Sequence, residues 1–147
     1  MGHLPRRGPP GPPRPLGRDD GSLDPGDGAV LDRFAATVAS GALDTGDAPA
    51  RLHGDLWSGN VVWTAGGAVL IDPAAHGGHR EADLAMLALF GCPGLEDVLA
   101  GYEEVAPLAP GWRERVALHQ VHPLLLHAVL FGGGYARQAV RAASRYL

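Results

Sequence analysis

With 147 residues, 46% of them apolar, the chain has material for one globular domain. A net charge of −4 argues against a broad nucleic-acid footprint. No uncharged apolar run reaches about 18 residues, and the arginine-bearing N-terminus has no apolar stretch, so neither a membrane span nor a secretory signal is expected.

One cysteine, Cys92, excludes an internal disulfide and fits a cytoplasmic setting. Residues 1–18 read MGHLPRRGPPGPPRPLGR, too rich in proline, glycine and arginine to build a core. The expectation is a disordered or polyproline-like tail over 1–20, then one folded lobe over 21–147. Asp24-Pro25 reads as a helix start, with Asp as cap and Pro in the first turn. Ala29, Val30, Leu31, Phe34, Ala35 and Val38 share one face at helical spacing, and Gly41 ends the helix. A polar connector over 41–50 leads through Arg51-Leu52 into the next segment.

That segment carries the chemistry. It reads HGDLWSGN from His53 to Asn60, then VVWTAGGAVLID to Asp72. Val61-Val62-Trp63 and Val69-Leu70-Ile71 flank a turn at Ala65-Gly66-Gly67, which is a hairpin signal. Pairing symmetric about Gly66 sets Asn60 opposite Asp72, with Cα atoms roughly 4.5–5.5 Å apart. An amide oxygen and a carboxylate at that spacing can share Mg²⁺, a cation that takes oxygen ligands and keeps room for phosphates. Asp55 is left free to act as base. In phosphoryl transfer one Asp orients the attacking hydroxyl, while an Asn and a second Asp hold the metal that bridges the phosphates. Protein kinases place these as Asp, then Asn five residues on, then a later Asp. Asp55, Asn60 and Asp72 repeat that order. Alone, each is more simply a turn residue; in this order and joined by a hairpin, they favour a metal–phosphate site.

Beyond Asp72, His76 and His79 join His53 without the spacing of a zinc finger, and zinc is not expected there. Trp57 is either core or stacks on a ligand. Arg80 and Glu81 either pair with each other, ordering their loop, or touch substrate. A helix is expected over Glu81 to Phe90, acidic in its first turn. Leu84, Leu87, Ala88 and Gly91 line one side of it. Asp83 is either exposed or bonded back to the catalytic-loop backbone. A second helix spans Leu95 to Val105, with Val98, Leu99 and Tyr102 inward. A third, Trp112 to Phe131, should kink at Pro123. Its apolar end, Leu124 to Phe131, is expected at the centre of the core, with His127 a satisfied core histidine. Gly132-Gly133-Gly134 breaks the chain. The last helix, Tyr135 to Tyr146, carries Arg137, Arg141 and Arg145 as a solvated face. The fold class is α+β, mainly helical, with one small β-hairpin.

The runs LHGDLWSGN, LIDPA, GGHREADLAMLALFG and HPLLLHAVLFGGGY resemble the fructosamine kinase (ketosamine 3-kinase) family. That family lies within the aminoglycoside-phosphotransferase-like, protein-kinase-like kinases. The likeness runs from about Asp19 to the C-terminus. It implies a kinase-like C-terminal lobe that phosphorylates a ketosamine sugar hydroxyl, at carbon three, with ATP and Mg²⁺. Asp55 would be the base, and Asn60 and Asp72 would hold metal and nucleotide phosphates. His53 would be loop scaffold; Trp57, His79, Arg80 and Glu81 would lie toward the substrate. The chain departs from the pattern in two ways. It contains no lysine, and no G-x-G-x-x-G loop follows a strand. Both belong to an N-terminal lobe in relatives, so the expectation is a truncated member with impaired activity alone. The alternatives are a non-catalytic remnant, half of a split kinase whose N-terminal lobe is supplied in trans, or a kinase for an aminoglycoside, choline or another amino-alcohol.

Overall fold

A computed structural model describes residues 23–147, so the expected tail over 1–20 lies outside the described residues. The first helix, α1, spans Pro25–Ala39. Its start is fixed by a reciprocal cap: Asp27 N–H donates to Asp24 Oδ1 at 3.0 Å, and Asp24 N–H donates to Asp27 Oδ2 at 3.1 Å. None of its residues is fully buried. It lies along the C-terminal end of the chain, where Phe34 faces Tyr146 with ring centroids 6.3 Å apart.

Four short strands follow: β1 (Ala50–Leu52), β2 (Val61–Thr64), β3 (Gly67–Leu70) and β4 (His76–Gly78). The expected hairpin is β2–β3, but its register differs by one residue. Thr64 pairs with Gly67 and Val61 with Leu70, leaving a two-residue loop, Ala65-Gly66. Thr64 sets this tighter turn: its hydroxyl donates to Gly67 O at 2.8 Å and accepts from Gly66 N–H at 3.2 Å. Asn60 therefore faces Ile71, whose N–H donates to Asn60 O at 3.0 Å, and not Asp72. A second antiparallel pair corrects the expectation of a single hairpin. β1 and β4 pair Ala50 with Gly78 and Leu52 with His76. The run His76-Gly77-Gly78 carries no apolar alternation from which a strand could be read.

Four helices complete the chain: α2 (Glu81–Leu89), α3 (Leu95–Val105), α4 (Trp112–Phe131) and α5 (Tyr135–Ala143), ending in a 3₁₀ turn over Ser144–Tyr146. Leu84, Leu99, Leu108 and Trp112 form one core cluster, with Leu95, Tyr102 and Val116 packed on it. A second buried seam joins Ala117, Val121 and Leu124 of α4 to Ala136, Ala139, Val140 and Ala143 of α5. Small side chains let these two backbones approach closely, and the face bearing Arg137, Arg141 and Arg145 is left outside. Gln120 Nε2 donates to Ala85 O at 3.0 Å, tying α4 to α2. The far end of α4 is not central, contrary to expectation. Leu126, Leu130 and Phe131 are exposed, Phe131 by 69%, because α2 and α5 cover only one stripe of the helix. His127 is half-buried and bonds Pro123 O through Nδ1 at 2.8 Å. Among the described residues no helix is long and apolar enough to cross a membrane.

Candidate active site

The loop from His53 to Asn60 is held from three sides. The first is α2. Its Asp83 carboxylate accepts from His53 N–H at 2.6 Å and from Gly54 N–H at 3.0 Å. Of the two readings of Asp83, the bond back to the loop is the one that forms. The second is a conformational demand at Gly54. Its φ of +82° favours glycine, and a Cβ there would meet Ala74 O at 2.2 Å. The third is His53. Asp55 N–H donates to Nδ1 at 3.3 Å, which makes Nδ1 the acceptor and puts the proton on Nε2. Nε2–H then donates to Ile71 O at 2.9 Å. His53 thus ties the loop to the residue just before Asp72.

Asn60 is buried, at the end of a 3₁₀ turn over Ser58–Asn60. Its Nδ2 donates to Asp55 O at 2.8 Å and to Asp55 Oδ2 at 3.1 Å. Both partners are acceptors, so the NH₂ must face Asp55 and Oδ1 is the atom left over. Asp55 is half-buried, with Oδ1 outside this contact. Asp72 is exposed. It lies one residue past the Asn60–Ile71 pair, where a continued strand would turn it to the opposite sheet face. The pleat does not continue: Asp72 has φ +51°, the one positive φ at a non-glycine residue among the described residues. Backbone strain of that kind clusters at functional sites. The Trp57 indole is 41% exposed and folds over Gly59, where a Cβ would lie 2.2 Å from the ring.

Asp83→Ala would strand two loop N–H groups. Urea unfolding should show a loss of about 1–3 kcal/mol, with faster amide exchange at His53 and Gly54. An unchanged midpoint would mean the loop holds itself.

His79, Arg80 and Glu81 enter a separate polar network. The Arg80–Glu81 pair does not form. Arg80 donates to Ala106 O at 3.2 Å and Pro107 O at 2.7 Å, with Nε 3.7 Å from Asp47. Glu81 is 2% exposed, and its carboxylate accepts from Arg115 Nε at 2.9 Å and Nη2 at 2.5 Å. Hydrogen bonding to Glu81 raises the Arg115 guanidinium above its ordinary value. His79 lies 2.8 Å from the Thr45 hydroxyl and stacks on His119, with ring centroids 4.7 Å apart. Burial, then the neighbouring His79, holds His119 below the ordinary histidine value. Sequence reasoning gave Asp47, Arg115 and His119 no role. The one signal available was the i, i+4 spacing of Arg115 and His119, which puts both on one face.

The family model described as fructosamine kinase matches residues 25–147, and the chain belongs to that family. It is 44% identical over 110 residues to a probable ketoamine kinase of Vibrio parahaemolyticus, covering 74% of this chain and 38% of that one. It is 42% identical over 97 residues to a probable ketoamine kinase of Klebsiella pneumoniae, covering 65% of this chain and 76% of that one. A crystal structure of a Thermobifida fusca protein assigned as a fructosamine-3-kinase superposes with a TM-score of 0.79 at 56% identity, covering 87% of this chain and 44% of that one. The chain spans about two fifths of the length of curated relatives such as the Vibrio protein.

Proposed function

We propose that this chain forms the catalytic half of an ATP-dependent ketosamine kinase, transferring phosphate to the carbon-three hydroxyl of the sugar. The observation that carries the reading is the Asn60 amide, which bonds Asp55 through its nitrogen and leaves its oxygen free. One residue thus positions the base and offers a metal ligand. Asp55 accepts the proton of the sugar hydroxyl as its oxygen bonds to the γ-phosphorus of ATP and the bond from that phosphorus to the departing ADP oxygen breaks. Asn60 keeps the Asp55 carboxylate in place through Nδ2. Asn60 Oδ1 and the exposed Asp72 carboxylate are hard oxygen donors that suit Mg²⁺. That ion, when bound, neutralises charge on the transferring phosphate. Trp57 offers the sugar a half-exposed aromatic face. Arg80 and Glu81 act one step back, since carbonyls hold the first and Arg115 the second.

A second reading, half of a split kinase completed in trans, is favoured by two features. These residues include no lysine to hold nucleotide phosphates. The hairpin also leaves Val62, Trp63, Val69 and Leu70 exposed, Trp63 by 53%. Such an apolar patch marks an interaction surface.

A chimera in which residues 25–147 replace the matching part of the Thermobifida fusca protein tests the proposal. A coupled assay with ATP and a fructosamine should show turnover by the chimera and little by the chain alone. A folded, silent chimera would contradict it. Turnover with aminoglycosides or amino-alcohols in place of ketosamines would move the substrate class.

A further inference from the structure

His79 and Glu81 stand just before and at the start of α2, and His119 reaches them from α4. Among the described residues these three offer ligand atoms all within 4.8 Å of one another. We propose that His79, Glu81 and His119 bind a first-row transition ion, Zn²⁺ above all, at a site separate from the Mg²⁺ ligands of the loop and hairpin.

His119 Nε2 is buried and has no hydrogen-bond partner, a costly state for a ring nitrogen. It lies 3.4 Å from Glu81 Oε2. That is long for a hydrogen bond. It matches the edge of a zinc tetrahedron, where donors at about 2.0–2.1 Å from the ion stand roughly 3.4 Å apart. Arg115 occupies both Glu81 oxygens, yet each oxygen has a second lone pair. Ligating carboxylates commonly carry such an outer partner. Asp47 adds a second carboxylate, its Oδ2 also buried without a hydrogen-bond partner and 3.6 Å from His79 Nε2. His79 Nε2 meets the Thr45 hydroxyl at 2.8 Å and Nδ1 accepts from Glu81 N–H at 3.3 Å, so His79 would ligate by exchanging one of these contacts for the ion. Imidazole donors select Zn²⁺, Ni²⁺ or Cu²⁺ over Mg²⁺. An ion held here clamps α4 to the start of α2, the helix whose Asp83 carries the catalytic loop.

The test is calorimetric titration of the untagged chain with Zn²⁺, beside His119→Phe and, as a control for surface histidines, His122→Ala. The expected result is one Zn²⁺ per chain and a higher thermal midpoint when it is bound. Affinity should fall on the order of 100-fold in His119→Phe and stay unchanged in His122→Ala. Equal Zn²⁺ affinity in His119→Phe, or a loss in His122→Ala, would show an adventitious surface ion and overturn the proposal. Co²⁺ gives an answer independent of any variant. Intense visible bands of tetrahedral cobalt in the wild-type chain support the site, and weak octahedral bands refute it.

Discussion

Asp55→Ala, made in the chimera, is expected to lower kcat for phosphate transfer by about 10²–10⁴-fold, the usual contribution of a positioned base. The thermal midpoint should barely move. Asp55 is half-buried, and the Asn60 amide keeps its bond to the Asp55 backbone oxygen whatever the side chain is. KM for ATP should change little, because the base does not hold nucleotide. This separates Asp55 from Asn60 and Asp72, whose alanine variants should raise the Mg²⁺ concentration needed for half-maximal rate. A chimera that keeps its kcat without the Asp55 carboxylate would remove the base from the scheme.

Arg115→Met should be the most damaging change to stability. Glu81 is 2% exposed, and Arg115 is the cation on its carboxylate. Removing one partner of a buried pair leaves an uncompensated charge, at a cost of about 3–5 kcal/mol. Urea unfolding of the described lobe would read it as a lower midpoint at an unchanged slope. Glu81→Gln in the same chain should recover part of the loss, since the stranded charge is then gone. If Arg115→Met alone unfolds at the wild-type midpoint, solvent reaches Glu81 and the pair is not structural. The effect extends to the site, because Glu81 and Asp83 share the first turn of α2. Loosening that turn frees the loop that Asp83 holds.

What the sequence made legible was local. Asp24-Pro25 announced the start of α1, and the acidic first turn announced α2, because caps and dipoles act within a few residues. The order Asp55, Asn60, Asp72 could be read for the same reason, and the structure brings Asp55 and Asn60 into hydrogen-bond contact. The hairpin could be read, but its register could not. One Thr64 hydroxyl selects a two-residue loop, and a shift of one residue changes every partner. The pairing of β1 with β4 joins residues far apart in the chain through a Gly-Gly strand with no pattern. The Glu81–Arg115 pair spans 34 residues. No local rule could have preferred it to the adjacent Arg80. The end of α4 misled for the opposite reason. Its composition is that of a buried helix, yet Leu130 and Phe131 are exposed.

The site stands or falls on Asn60 Oδ1 and the Asp72 carboxylate sharing one cation beside Asp55. Anomalous diffraction from crystals grown with Mn²⁺ and a non-hydrolysable ATP analogue locates that cation. A manganese peak within bonding distance of both oxygens, with Asp55 facing the terminal phosphate, is expected. A peak bound by Asp72 alone, with Asn60 Oδ1 turned away from it, would take Asn60 out of the metal site.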